Sequence, residues 1–296
     1  IPGLIDDLVE KGLAYESQGA LVVDITQEGD SKEYPPCIVR KSDGAALYAT
    51  SDIATLVERE KDFNPDKYVY LADKRQSLHY TQFFRVAKKA GIVKPDSELV
   101  FIGFGTMNGK DGKPFKTREG GVMRLENRSV SEEEARKTAK IVGLAALKYG
   151  DLSNQASKDY IFDIDRFASF EGNTGPYILY TIVRIKSIIE KYVSENGSID
   201  DLSVTDTDNE EQLALMLELS KVNEVIENAA IELAPHKICS YIYDLSNAFN
   251  KFYHSTKILA EEDEAKKKGY IALISLVQKV LETCIDLLGF EAPDKM

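Results

Sequence analysis

The sequence predicts an α/β part followed by an all-helical part, and three observations carry that reading. Between residues 44 and 104, short runs of β-branched and aromatic residues alternate with helical segments, which argues for parallel strands joined by right-handed crossovers. From Gly172 onward the apolar residues recur at helical spacing alone. The charge balance changes as well: residues 1–150 carry 23 basic and 23 acidic side chains, residues 151–296 carry 14 and 26, and the whole net charge of −12 lies in the second part.

The elements follow in order. Residues 2–11 make an amphipathic helix with Leu4, Ile5 and Leu8 on one face, and Gly12 stops it. A strand is expected over 19–24, and Pro35-Pro36 punctuates a polar loop before a strand over 37–40. A hairpin-like turn is expected over 41–44. Two strand–helix units come next. Their strands cover 46–50 and 67–71; Ser51 caps the first helix, Asp52 lies in its first turn, and Gln76 opens the second. A strand over 98–103 leads into a glycine-rich loop, a further strand covers 122–125, and Ser131 with Glu134 reads as a capping box. A helix over 135–149 ends at Gly150. Residues 159–170 are polar and aromatic. Helices are expected from Asn173 to the Asn196-Gly197 stop, over 209–234 with Pro235 as breaker, over 238–260 and over 265–288.

A chain of 33.0 kDa suggests about two domains. No run approaches the roughly 18 apolar residues of a membrane span. The chain starts Ile1-Pro2-Gly3, without an initiator Met or a visible signal peptide, and is expected to be a piece of a longer protein. Cys37, Cys239 and Cys284 are odd in number and far apart. They suit a reducing compartment and have no metal-ligand spacing. The acidic balance argues against a nucleic-acid partner, since such binders usually show a basic footprint.

In open parallel sheets, ligands bind outside the carboxyl ends of the strands. Tyr48, Asp52, Gln76, His79 and Gln82 all lie at or just past those expected ends, and an aromatic ring, a carboxylate and an amide there suit a planar cation. Asp52 has a plainer reading as a first-turn aspartate that stabilises its helix by roughly 0.3–1 kcal/mol. His79 has one as a structural histidine. The loop over 105–121 holds Lys110, Lys113, Lys116 and Arg118 among five glycines. Clustered cations on pliable backbone suit phosphate oxygens, although charge runs are also the ordinary make-up of a solvated surface loop. Gly103-Phe104-Gly105 is no dinucleotide fingerprint, because no third glycine follows at the needed spacing. The stripe Tyr241, Tyr243, Phe249, Phe252, Tyr253 reads first as helix core.

YATSDIA at 48–54, DKRQSLHYTQ at 73–82 and FGTMNGKDGKPFKTREGG at 104–121 resemble, in order and spacing, the catalytic domain of bacterial arginyl-tRNA synthetases, and the helical remainder ending LLGFEAP is similar to their anticodon-binding domain. The resemblance covers essentially the whole chain. It implies the second half of a Rossmann-like class I synthetase catalytic domain over 1–150, with a KMSKS-like loop over 105–121, and an α-helical bundle over 151–296. It implies ATP-dependent arginine activation and transfer to tRNA(Arg). ATP enters with Mg2+ as a substrate, and no tightly bound metal or organic cofactor is implied. A monomer in the cytoplasm, without membrane contact, is expected.

Residue by residue, the resemblance implies arginine binding by Tyr48, Asp52 and Gln76. It implies ATP binding by His79, Met107, Lys113, Lys116, Thr117 and Arg118, with Lys116 and Arg118 as the catalytic cations. Tyr177, Tyr180, Tyr253 and Met296 are the implied tRNA contacts, served by a neutral or basic strip between acidic outer faces. The chain departs from the pattern in three places. Phe115-Lys116-Thr117-Arg118 is a degenerate KMSKS motif. No His-Ile-Gly-His-like segment occurs, the histidines being His79, His236 and His254. The junction over 125–128 is shorter than in the family, which carries a further helical segment there. A non-catalytic anticodon-binding module is the main alternative, and a generic nucleotide-binding protein with a helical interaction domain is another.

Overall fold

The computed structural model describes residues 2–113, 132–207 and 209–296. They form two compact units, Ile1–Thr106 and Met107–Met296. The expected strand over 122–125, the cap at Ser131, the junction over 125–128, and Lys116, Thr117 and Arg118 lie outside the described residues.

The first unit begins with helix α1 (Pro2–Glu10) and the strands β1 (Ala14–Ser17), β2 (Ala20–Val23) and β3 (Cys37–Arg40), which form one antiparallel sheet in that order. β1 has no apolar alternation and gave no strand signal. It pairs with β2 across Gln18-Gly19, whose φ angles of 52° and 80° are the two positive values that a tight hairpin turn of the right twist requires. Helix α2 (Tyr48–Phe63) follows, so residues 46–50 form no strand. Thr50 decides this: it is buried, and its Oγ1 donates to Val39 O at 2.7 Å, which ties the first turn of the helix to β3. Leu47 takes the cap position in place of Ser51, and Asp52 falls in the second turn.

The parallel pair of this unit is therefore β4 (Lys67–Asp73) with β5 (Glu98–Phe104), in register from Lys67↔Glu98 to Asp73↔Phe104. A 3-10 turn (Lys74–Gln76) and helix α3 (Ser77–Lys89) connect them, with Gln76 capping α3 as expected. Ile53 and Leu56 of α2, Phe83 and Val86 of α3, and Val23 and Val39 of the small sheet share one core.

In the second unit, β6 (Met107–Asn108) pairs in parallel with β7 (Tyr160–Ile161). Its other described elements are helices: α4 (Glu132–Leu152), α5 (Ile164–Phe167), α6 (Gly175–Asn196), α7 (Glu210–Ser220), α8 (Val222–Glu232), α9 (Pro235–Ser255) and α10 (Glu264–Leu287). Gly150 lies inside α4 and does not end it. A β-carbon there would come within 2.4 Å of the Phe167 ring, so the glycine serves close packing of α5. The single helix expected over 209–234 is two, divided at Lys221. Leu233, at φ 53°, closes α8, and Pro235 starts α9 instead of breaking a helix, because a proline at the first helical position removes an N–H that has no partner anyway.

Ile178, Ile182 and Ile185 of α6, Leu245 and Phe249 of α9, and Ile274 of α10 build the second core. Val142, Ala145 and Tyr149 of α4 join it, and the Tyr149 hydroxyl donates to Cys239 O at 2.8 Å. By its contacts α4 thus groups with the helices beyond residue 150. Tyr241, Phe249 and Phe252 are buried core rings, while Tyr253 is exposed.

Candidate functional site

In the first unit, the start of α2 and the start of α3 bring the expected residues to one region. Tyr48 is the first residue of α2 and is 86% exposed. Asp52 lies one turn on, so the two share a helix face. Gln76 is exposed at the cap of α3, and His79 sits in the first turn of that helix. His79 Nε2 lies 2.6 Å from Asp52 Oδ2, with side-chain exposures of 27% and 39%. The carboxylate is therefore paired on one oxygen and partly open to solvent.

An aromatic wall supports this pair. His79 packs on Tyr80 and Phe83, Tyr80 stacks on Phe101 at 4.4 Å, and Tyr70 touches Tyr80, Phe83 and Phe84. Burial, and then the nearby Asp52 charge, hold the Tyr80 phenol above its ordinary value. Burial also raises that of Tyr70, against the Arg59 guanidinium, which donates to its hydroxyl at 3.1 Å. Gln82 is used differently from the expectation: its Nε2 donates to Pro35 O at 3.0 Å and Pro36 O at 3.1 Å, so that amide nitrogen holds a loop.

In the second unit, Met107 lies in β6, and the described part of the glycine-rich loop follows it. Lys110 pairs with Asp163 at 3.0 Å and Asp165 at 2.9 Å. These bonds, Asp165 first, raise the lysine, and the Lys110 bond lowers the Asp163 carboxyl. Lys113 is exposed.

The helical part carries a cavity of about 1200 Å³ lined by α4, α6 and the C-terminal segment, among them Lys137, Thr138, Phe170, Tyr180 and Met296. Its lining is of mixed charge, since Glu134, Glu171, Glu291 and Asp294 also face it. Beside it, the Arg184 guanidinium lies over the Tyr180 ring at 4.7 Å and the Tyr253 ring at 5.1 Å, and donates to Asn250 Oδ1 at 2.6 Å. Arg184 had no functional reading in the sequence, although its position four residues after Tyr180 was the signal. Tyr177 is half-buried; its hydroxyl donates to Asn247 Oδ1 at 2.7 Å and accepts from Asn250 Nδ2 at 2.9 Å. Tyr180 and Tyr253 are thus the exposed rings, while Tyr177 is tied to Asn250, the acceptor of the Arg184 bond.

The three cysteines are buried and free, and burial pushes the thiols of Cys37 and Cys239 up to about 12. Among the described residues, no group of three or more His, Cys, Asp or Glu could hold a metal ion, and no helix is long and apolar enough to cross a membrane.

Comparison with known proteins matches residues 1–128 to the family of class I tRNA synthetases (R), catalytic domain, and residues 178–296 to the DALR anticodon binding domain. The whole chain aligns with an arginine–tRNA ligase of Agathobacter rectalis at 60% identity, and 99% of it aligns with that of Alkaliphilus oremlandii at 53%. The chain belongs to the arginyl-tRNA synthetases. It combines part of their class I catalytic domain with the helical DALR domain, and it spans about half the length of these relatives, 54% and 52%. The alignment with the Agathobacter synthetase runs over 320 positions against 296 residues, so at least 24 positions have no counterpart here (320 − 296). In fold, the Thermus thermophilus arginyl-tRNA synthetase matches 99% of the chain at a TM-score of 0.82 and 22% identity, with 58% of that structure covered. The Plasmodium falciparum enzyme matches 100% of the chain at 0.79 and 23%, with 52% covered.

Proposed function

We propose that this chain serves the ATP-dependent activation of arginine and its transfer to tRNA(Arg). The observation that carries the reading is the solvent-open Asp52 carboxylate, with Tyr48 on its helix face, in a chain 60% identical to an arginine–tRNA ligase. A carboxylate takes a guanidinium through paired, charge-assisted hydrogen bonds, and lysine has no planar fork with which to match it. Tyr48 and Gln76 complete the hydrogen bonds of the arginine side chain.

Activation is the in-line attack of the arginine carboxylate on the α-phosphorus of ATP, which enters with Mg2+, and pyrophosphate leaves. Positioning and charge stabilisation suffice, and no general base is needed. Met107 stands by the adenine. Lys113, Lys116, Thr117 and Arg118 serve the phosphates, with Lys116 and Arg118 stabilising the charge that develops in the transition state. The anticodon arm docks on the helical part, where Tyr180 and Tyr253, both within reach of Arg184, stack on unpaired bases, Tyr177 lies next to them through Asn250, and Met296 lies on the cavity that Tyr180 lines. The catalytic domain is read as ending near residue 150, and the enzyme as a cytoplasmic monomer.

The test is made in an enzyme of full family length carrying this chain. Losing one partner of a hydrogen-bonded charge pair that the bound ligand buries costs roughly 2–5 kcal/mol, and about 1.4 kcal/mol is tenfold in affinity. Asp52→Ala is expected to weaken arginine binding about 30-fold or more in calorimetry, while ATP binding changes far less. Gln76→Ala is expected to cost less, since a neutral hydrogen bond is worth about 1 kcal/mol. Unchanged arginine affinity in Asp52→Ala would refute the reading.

A further inference from the structure

The contact between Asp52 and His79 spans 27 residues and joins the starts of two helices. An aspartate that is 39% exposed on a helix surface would ordinarily sample several rotamers. Here one oxygen is held. The donor is itself held: the His79 ring packs on Tyr80 at 5.4 Å and on Phe83 at 5.2 Å, and Phe83 is fully buried in the core. These ring contacts favour the orientation in which the imidazole meets Asp52.

We infer that His79 is a positioning residue of the guanidinium receptor, its Nε2–H fixing Asp52 Oδ2 so that Oδ1 is presented to the cationic side chain of the substrate. The inference rests on the arginine-site reading of Asp52, and it places His79 with the amino-acid side chain and not with ATP. The residue type supports it. A neutral imidazole donates one hydrogen bond without cancelling the carboxylate charge, whereas a lysine or arginine there would neutralise Asp52 and repel the ligand. The Tyr70 and Tyr80 phenols, which feel the Asp52 charge, carry no positive charge, and Arg59, on the same helix as Asp52, is bonded to Tyr70. Nothing else on these two helices competes with the substrate for the open oxygen.

The experiment measures arginine-dependent ATP–pyrophosphate exchange in an enzyme of full family length carrying this chain. A hydrogen bond to a charged group is worth enough that His79→Ala should raise KM for arginine about tenfold, with KM for ATP within about twofold. His79→Gln, whose amide Nε2 reaches the same oxygen, should stay within about threefold of the parent. His79→Lys should be worse for arginine than His79→Ala. Inhibition by citrulline, the neutral ureido isostere, should change little in His79→Ala, because no ion pair is at stake. A structural role would instead lower the use of ATP and arginine together and would not separate the charged ligand from its neutral isostere. The inference is overturned if His79→Ala leaves KM for arginine unchanged, lowers it, or raises both KM values equally. Asp52→Ala, assayed alongside, separates the two readings. If it loses arginine while His79→Ala does not, only the role of His79 falls. If it too leaves arginine unaffected, the arginine-site reading falls with it.

Discussion

A β-carbon added to Gly175 would lie 2.4 Å from the Ala145 carbonyl oxygen, and a backbone atom in the middle of α4 has little room to give way. Gly143, on the same helix α4, has nothing within 4 Å of the equivalent position. The two residues therefore have opposite expectations. Gly175→Ala should destabilise the helical unit by about 1–3 kcal/mol through overpacking. Gly143→Ala should stabilise it by about 0.5–1 kcal/mol, the ordinary gain of alanine over glycine inside a helix. Urea unfolding followed by circular dichroism reads both, with midpoint shifts of opposite sign and an unchanged slope. Shifts of the same sign would mean that α4 and α6 do not cross as closely as described.

Helix α3 is the element that carries most of the first unit's polar organisation. His79, Gln82, Arg85 and Lys89 recur every three or four residues, and each ends on a different partner: the Asp52 carboxylate, the Pro35 and Pro36 carbonyls, Asp30, and the Asp24 carbonyl. Arg85 binds Asp30 through two bonds of 2.7 Å, donates to Ile25 O at 3.0 Å and lies over the Tyr34 ring at 4.5 Å. One stripe of the helix thus holds both the site and the loop before β3. The Arg85 hydrogen bond is the main reason the Asp30 carboxyl lies below its ordinary value. A carboxyl whose folded pKa is depressed contributes stability that is present above its unfolded value, about 3.9, and is lost as pH falls through the folded value. Asp30→Asn should therefore be less stable than the parent at pH 6, and the gap should close as pH falls below about 4. Chemical unfolding at the two pH values measures it. A gap that stays constant would show that the charge of Asp30 plays no part in holding the loop.

At the scale of the whole chain, the charge and the exposed sheet face carry the argument. Parallel sheets are ordinarily covered on both faces, yet Val69 and Leu71 of β4 are 47% and 64% exposed. The chain also lacks a His-Ile-Gly-His-like segment and spans 54% of its Agathobacter relative. The expected outcome is that residues 1–296 alone give no arginine-dependent ATP–pyrophosphate exchange, even with tRNA(Arg) present, and that the activity appears when the rest of a family-length enzyme is supplied. Measurable exchange by the chain alone would contradict this. The acidic excess of residues 151–296 reaches the cavity proposed for RNA, where Glu171, Glu291 and Asp294 stand beside Lys137 and Lys295. A groove of Glu210, Glu211, Glu218 and Asp244 holds another part of that excess and borders Asn247, the partner of the Tyr177 hydroxyl; burial together with Glu218 raises the Asp244 carboxyl there.

Much of this was legible in the residues themselves. The α/β-then-helical order, the Cys37–Arg40 strand, the cap at Gln76, the stop at Gly197 and the family all follow from local patterns: apolar period, caps, glycine stops and short motifs. Those signals lie within a few residues of one another, so the sequence alone contains them. The tertiary structure decided the rest. Helix α2 begins at Tyr48, inside the strand expected over 46–50, because the Thr50 hydroxyl finds Val39 O, and Gly150 is interior because Phe167 presses on it. The helix over 209–234 breaks at Lys221 with no proline or glycine to announce it. Tyr180 and Tyr253 share one guanidinium while Tyr177 is tied to Asn247 and Asn250. The Asp52–His79 pair belongs to the same class. Each depends on two groups far apart in the chain meeting within a few ångströms, and only the folded packing sets that distance.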